Sequence, residues 1–275
     1  MSSQRSTNIT PRAAARLRGT YGPWAVVTGA SDGIGRAFAR RLAAAGVDLV
    51  LAARRGEVLT ALAAELAGEF GIAARIVAVD LGTPAGVDAL LAATRSLDVG
   101  LLVASAGFGT SGPFIDADLA AELEMIDVNC RAVAALSHAF GRRFAARGRG
   151  GLVLMSSLVA FQGVPRAANY AATKAYVQSL AEGLRHELAP RGVDVLASAP
   201  GPVHSGFAAR AAMTMGLAQT PDEVAGASLA ALGRRGTVRP GWLARLLELS
   251  LKLLPRWGRV RMMGVVMAGM TRRGA

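Results

Sequence analysis

The chain has 275 residues, 52% of them hydrophobic and 18% charged, with 33 glycines; that length and apolar content give one large domain a sizeable core and exclude intrinsic disorder. A single cysteine, Cys130, excludes an internal disulfide, and no His/Cys cluster has metal-ligand spacing, so no metal site is expected and Cys130 reads as a small buried hydrophobe. The net charge of +12 belongs to the two ends: residues 1–23 hold four arginines and no acid, residues 234–275 hold ten basic residues against Glu248 alone, and the stretch between carries 17 basic and 18 acidic residues, which excludes the basic stripe of a nucleic-acid-binding core.

Residues 1–22 lack a hydrophobic signal segment and read as a basic, flexible tail. From Trp24 the chain alternates short apolar runs with helix-length segments. The first half predicts a strand over Trp24 to Thr28, a helix over Gly35 to Ala45, a strand over Asp48 to Ala52, a helix over Glu57 to Phe70 and a strand over Ala74 to Val79. A helix over Pro84 to Arg95, a strand over Gly100 to Ala104 and one long helix from Leu119 to Arg147 follow. A strand over Gly151 to Met155, a helix over Asn169 to Leu188 and a strand over Val193 to Ala199 complete the series. Strands this apolar are buried on both faces, so the predicted fold is α/β: a single Rossmann-like, doubly wound parallel sheet with helices on both faces, spanning residues 23–235. Thr220-Pro221-Asp222-Glu223 carries a helix start signal.

The remainder, residues 236–275, is a basic amphipathic extension. Trp242, Leu243, Leu246, Leu247, Leu249, Leu253 and Leu254 share one face of a helix over 242–254, with Arg245, Glu248 and Lys252 opposite, and an apolar run follows from Met262 to Met270. Such a helix packs on the body or a second subunit, or lies in a membrane interface. No apolar run reaches the length of a membrane span, so a cytoplasmic protein is expected, with membrane association left to this segment.

The first strand ends in Thr28-Gly29-Ala30-Ser31-Asp32-Gly33-Ile34-Gly35, a Gly-x-x-x-Gly-x-Gly turn that opens a helix. Glycines let the backbone approach a pyrophosphate, and the helix start offers free N–H groups and a positive dipole end. The second strand runs into Arg54-Arg55 with no acid at the position that reads a free ribose 2′-hydroxyl, which points to NADP(H) rather than NAD(H), the plain alternative being two solvated arginines. Asp80-Leu81, at the end of the third strand, is placed either to meet an adenine edge or to cap a turn.

Only two of the 31 basic residues are lysines, Lys174 and Lys252. Lysine, unlike arginine, can give up its proton in a protein, so Lys174 marks a place for chemistry. In Tyr170-Ala171-Ala172-Thr173-Lys174 the phenol and the ammonium share a helix face, and a nearby positive charge favours phenolate. Ser156-Ser157 lies thirteen residues upstream, at a strand end from which a hydroxyl reaches the same oxygen. His138, His186 and His204 need no catalytic role.

From Trp24 to Phe207 the chain resembles the classical short-chain dehydrogenases/reductases, on the Thr-Gly-x-x-x-Gly-Ile-Gly turn, the serine followed by Tyr-x-x-x-Lys, and Pro200-Gly201-Pro202-Val203 after the sixth strand. The resemblance implies an NADPH-dependent oxidoreductase with Tyr170 as proton donor, Ser157 polarising the carbonyl, and Lys174 binding the nicotinamide ribose and lowering the tyrosine's pKa. It makes Asn129 the holder of a water that links Lys174 to solvent. The cofactor would lie on Gly29, Ser31, Asp32, Gly33, Ile34 and Gly35, with Arg54, Arg55, Asp80, Leu81, Ser105, Ala106, Gly107, Tyr170, Lys174, Pro200, Gly201, Val203 and Ser205 completing its site. Where the family commonly has Asn-Asn-Ala-Gly this chain has Ala104-Ser105-Ala106-Gly107, and its usual threonine appears as Ser205.

The family is usually a homodimer or homotetramer, and the same is expected here. Phe108, Phe114, Phe161, Phe207, Met213 and Met215, near the motif loops, suggest an apolar substrate such as a ketoacyl, steroid or lipid-like ketone. The alternative, motivated by the basic ends, is a catalytically silent scaffold of the same fold that senses the cofactor or attaches to a membrane.

Overall fold

A computed structural model describes residues 9–204, 206, 218–241 and 254–271. The expected sheet is there: seven strands, all parallel, in the order β3-β2-β1-β4-β5-β6-β7. They are β1 (Trp24–Thr28), β2 (Asp48–Ala53), β3 (Ala74–Ala78), β4 (Val99–Ala104), β5 (Gly150–Met155), β6 (Val193–Ser198) and β7 (Thr237–Val238). β4 and β5 are buried along their whole length, as their unbroken apolar runs require. β3 is the exception: it forms one edge, and Ile76 is left exposed.

Helices cover both faces. On one lie α1 (Pro11–Tyr21), α2 (Gly33–Ala44), α3 (Gly56–Phe70) and α8 (Pro221–Ala231), whose apolar sides share one core with that face of the sheet through Leu17, Phe38, Leu42, Leu59 and Leu229. On the other lie α4 (Pro84–Ala93), α5 (Leu119–Ile126), α6 (Ala132–Arg147) and α7 (Ala168–Leu188), with Leu90, Leu136, Phe140 and Val177 in the core. The Thr220 start signal works as read: Thr220 Oγ1 accepts from the Glu223 N–H at 3.2 Å and the Glu223 carboxylate accepts from the Thr220 N–H at 2.9 Å.

Three features differ from expectation. The tail is structured from Thr10 onward: Thr10 caps α1, Pro11 occupies its first turn, and Leu17 and Tyr21 are buried. Arg16 donates to the carbonyls of Leu229 and Leu232 at 2.6 and 3.0 Å, and the Tyr21 hydroxyl donates to Asp194 at 2.7 Å. The basic residues that suggested a solvated tail are thus partly spent on capping α8. The long helix is interrupted by a π-helical turn over Asp127–Arg131, which separates α5 from α6 and contains Asn129. The run from Met262 belongs to a helix, α9 (Arg256–Thr271), whereas the amphipathic helix expected over 242–254 lies almost entirely outside the described residues.

α9 packs on the body beyond the end of the sheet. Met267 is buried among Val164, Ala167 and Ala171, with Met263 and Tyr170 against the same cluster. Among the described residues no helix is long and apolar enough to cross a membrane.

Candidate active site

The strand order reverses between β1 and β4, and a parallel sheet opens a crevice at the carboxyl ends of such strands. There the structure has a cleft of about 690 Å³. Every residue expected on the cofactor lines it, from Gly29 through Val203, except Ser205, which lies outside the described residues. Ser157, Tyr170 and Lys174 line the same cleft, whereas Asn129 stands fully buried behind its wall.

Glycine is required here by close approach. Gly29 has φ +66°, and a Cβ on it would come within 2.9 Å of the Ala106 backbone. A Cβ on Gly35 would strike the Gly29 carbonyl, so the turn and the start of α2 stay pressed together. Thr28 locks the turn to the β4 loop, its hydroxyl oxygen accepting from the N–H groups of Ser105 and Ala106 at 3.0 Å each. The loop after β4 is thus braced from β1. Asp32 caps α2 by accepting from the Gly33 N–H at 2.7 Å. The result is a main-chain cradle at a helix N-terminus, which fits a pyrophosphate.

Beside the cradle, Arg55 donates to Ser31 Oγ at 3.1 Å and to its carbonyl at 3.2 Å, and Arg54 pairs with Glu124 on α5 at 3.2 Å. Both guanidiniums are exposed at the cleft, where a phosphate can take them in the bidentate manner arginine favours. Asp80 does what the turn alternative predicted, accepting from the Gly82 N–H at 2.9 Å, while still lining the cleft.

At the other end Tyr170 is wedged between two apolar clusters, Phe108, Met125 and Val128 on one side and Val164, Ala171 and Met267 on the other. Burial pushes its phenol up to about 12, opposed by a hydrogen bond with Ser157. This corrects the expectation of a lowered tyrosine. The Lys174 ammonium lies 5.7 Å from the ring centroid and donates to the Met155 carbonyl at 2.9 Å, so desolvation of the phenol dominates. Lys174 itself is brought down to about 8 by burial. Of the two serines it is Ser157 that meets the phenol; Ser156 turns into α7 and donates to the Lys174 carbonyl at 3.2 Å.

The Asn129 side chain is fully engaged in packing. Its Oδ1 accepts from the Phe108 N–H at 3.2 Å, and its Nδ2 donates to the Phe108 carbonyl at 2.9 Å and to Thr173 Oγ1 at 3.1 Å. Gly107 fits into this corner because a Cβ there would meet Asn129 Oδ1 at 2.8 Å and Lys174 Nζ at 3.4 Å. Cys130 is half-buried rather than fully buried, its thiol raised by burial and 3.8 Å from the Thr173 carbonyl. His138, His186 and His204 are exposed and do not line the cleft.

The apolar wall is not the one the aromatic residues suggested. Phe108 lines the cleft, Phe114 and Phe161 do not, and Phe207, Met213 and Met215 lie outside the described residues. In their place α9 contributes Met262, Met263, Val266 and Met267. The sequence marked this run as apolar but held no signal of where it would fold. Glu122 also escaped notice: it is buried on α5, accepting from Thr110 Oγ1 at 2.6 Å and from Asn169 Nδ2 at 2.7 Å, and so ties the loop after β4 to the residue preceding Tyr170.

Known proteins resemble this chain in sequence and fold. Residues 23–215 match the family model described as short chain dehydrogenase. A 7beta-hydroxysteroid dehydrogenase of Clostridium sardiniense is 36% identical over 180 residues, 66% of this chain and 69% of that protein. A solved structure described under 7beta-hydroxysteroid dehydrogenase stereoselectivity superimposes with a TM-score of 0.84 at 28% identity, covering 90% of this chain and 98% of that one. A short-chain dehydrogenase from Sphingobium yanoikuyae, solved in complex with NADPH, gives 0.76 at 33% identity, covering 83% and 92%.

Proposed function

Because the chain belongs to the short-chain dehydrogenase family, we propose that it is an NADP(H)-dependent oxidoreductase that reduces the ketone of an apolar substrate, or oxidises the matching secondary alcohol. The observation that carries the reading is the meeting of Ser157, Tyr170 and Lys174 in the same cleft as the glycine cradle. NADP(H), when bound, supplies or takes the hydride. Gly29, Gly33 and Gly35 receive its pyrophosphate at the start of α2, and Arg54 and Arg55 take the 2′-phosphate. Pro200, Gly201 and Val203 close the nicotinamide end.

Tyr170 acts on the ketone oxygen. A phenol held near 12 is protonated at neutral pH, so it enters the reduction direction as an acid ready to donate. Ser157 gives the ketone oxygen a second hydrogen bond and orients it. When the proton has left, the Lys174 ammonium stabilises the phenolate, and a water held at the main chain of Asn129, whose side chain is committed to Phe108 and Thr173, passes a proton back towards Tyr170 by way of Lys174. The substrate is a bulky apolar ketone, a steroid-like, ketoacyl or other lipid-like compound. Phe108 and the methionines of α9 support this, as does the likeness to hydroxysteroid dehydrogenases. The protein works as a homodimer or homotetramer and binds no nucleic acid.

A parallel titration with NADPH and NADH tests the cofactor site. NADPH is expected to bind at least roughly tenfold more tightly, and Arg54→Ala/Arg55→Ala to erase the difference while sparing NADH, because charge-assisted bonds to the 2′-phosphate contribute about 1.5–3 kcal/mol each. Equal binding of the two nucleotides removes the arginines as phosphate readers, and binding of neither removes the enzyme reading.

A further inference from the structure

α9 has two working faces. Its inner face closes the cleft, with Met263 and Met267 packed near Tyr170. Its outer face is exposed and mixes apolar with basic groups: Trp257 is 72% exposed and Val265 73%, and Arg261 stands exposed between them in the same i, i+4 row. Met262 and Val266 belong to both faces, lining the cleft while remaining about 40% exposed, which places them at its mouth.

The loop after β4 carries a second exposed apolar pair, Phe114 (53%) and Ile115 (91%). It is tied to the segment under α9, since the Gly112 N–H donates to the Arg166 carbonyl at 2.9 Å and the neighbouring Pro165 packs on Gly264. Large apolar side chains are thus left in water on two elements joined through residues 165 and 166. Exposed apolar surface of this kind marks a contact site.

Charge selects the partner. Arg256 and Arg261 are exposed beside Trp257, and the last 42 residues of the chain carry ten basic residues against one acid. A second copy would bring the same positive face and be repelled, whereas an anionic surface with an apolar interior satisfies both the arginines and Trp257. We propose that α9 docks on an anionic lipid surface, so that the apolar ketone passes from the leaflet into the cleft past Met262 and Val266 at its mouth. The proposal rests on the reductase reading above for its substrate, but not for its membrane contact.

The experiment is co-sedimentation of the full chain with vesicles of phosphatidylcholine alone and of phosphatidylcholine mixed with phosphatidylglycerol. Binding is expected only to the mixed vesicles, and to fall with added salt. Arg256→Gln/Arg261→Gln should weaken it about thirtyfold, at the fivefold or so that each arginine contributes near an anionic surface. Trp257→Ser/Val265→Ser should weaken it about tenfold. Both variants should keep NADPH binding and turnover of a water-soluble ketone, and lose in parallel the turnover of a ketone dissolved in the mixed vesicles. Equal binding to neutral vesicles, no binding to either, or variants that dissociate an oligomer while vesicle binding stays intact would each overturn the proposal. Failure of the reductase reading looks different: no NADPH is consumed with the water-soluble ketone in vesicle-free buffer.

Discussion

The two ends of the cleft are built from different materials. At the glycine-turn end the wall is main chain: Gly29, Gly35 and the start of α2 pressed against Ser105 and Ala106, with two exposed arginines at the rim. At the Tyr170 end it is side chain: Phe108, Val128 and the methionines of α9. A main-chain wall presents the same N–H groups whatever the neighbouring side chains are, so it suits a constant ligand. A wall of methionines is soft and adaptable, and its shape is set by which residues a distant helix brings to it. Tyr170 stands at the boundary, hydrogen bonded to Ser157 and packed against both apolar clusters.

That contrast breaks most sharply at Tyr170. Tyr170→Phe keeps the ring in its apolar seat and removes only the proton, so turnover should fall about 10²–10⁴-fold while the NADPH dissociation constant, read by titration, stays put. A silent scaffold would lose nothing by the same change, and unchanged NADPH oxidation would put that reading first.

The next effect is of pH. Burial lowers Lys174 to about 8 and raises Tyr170 to about 12, so ketone reduction should decline about tenfold between roughly pH 7 and pH 9 as the ammonium loses its proton. The phenol remains a competent acid throughout that range. Alcohol oxidation needs Tyr170 to accept a proton, so it should instead keep more of its rate on the alkaline side. Rate profiles in both directions check this, and Lys174→Arg, which stays charged, should flatten the decline in reduction. A decline that persists in that variant would assign it to another group.

The smallest expected effect concerns the α9 wall. Met263→Ala shortens a half-buried side chain beside Tyr170 and should raise KM for a bulky apolar ketone roughly fivefold, from about 1 kcal/mol of lost apolar contact, leaving kcat for a small ketone and NADPH affinity unchanged. Steady-state kinetics with the two ketones would show it. An equal loss for both substrates would mean that α9 supports the catalytic residues rather than the substrate.

Much of this was legible in the sequence because the instructions are local. The βαβ series, the Gly29–Gly35 turn and the Tyr170/Lys174 pair each lie within one element or at one junction, where spacing alone decides which groups share a face or meet a helix start. The family's pattern then tied Ser157 to the pair. What stayed hidden depends on residues far apart in the chain. The eleven residues of α1 look solvated until Leu17 and Tyr21 meet the core and Arg16 caps a helix more than 200 positions away. Glu122 is one acid among 19 until Thr110 and Asn169 converge on it.

The sequence by itself determined the fold class and which residues to propose for the cofactor and the chemistry, since each follows from periodicity or from a contiguous motif. Only the tertiary structure decided which residues wall the cleft beside Tyr170 and how deeply its phenol is desolvated. Spacing sets who can stand next to whom along one helix. Desolvation of the Tyr170 phenol is set by Phe108, Val128 and Met267, three residues from three parts of the chain, and no local pattern encodes their meeting.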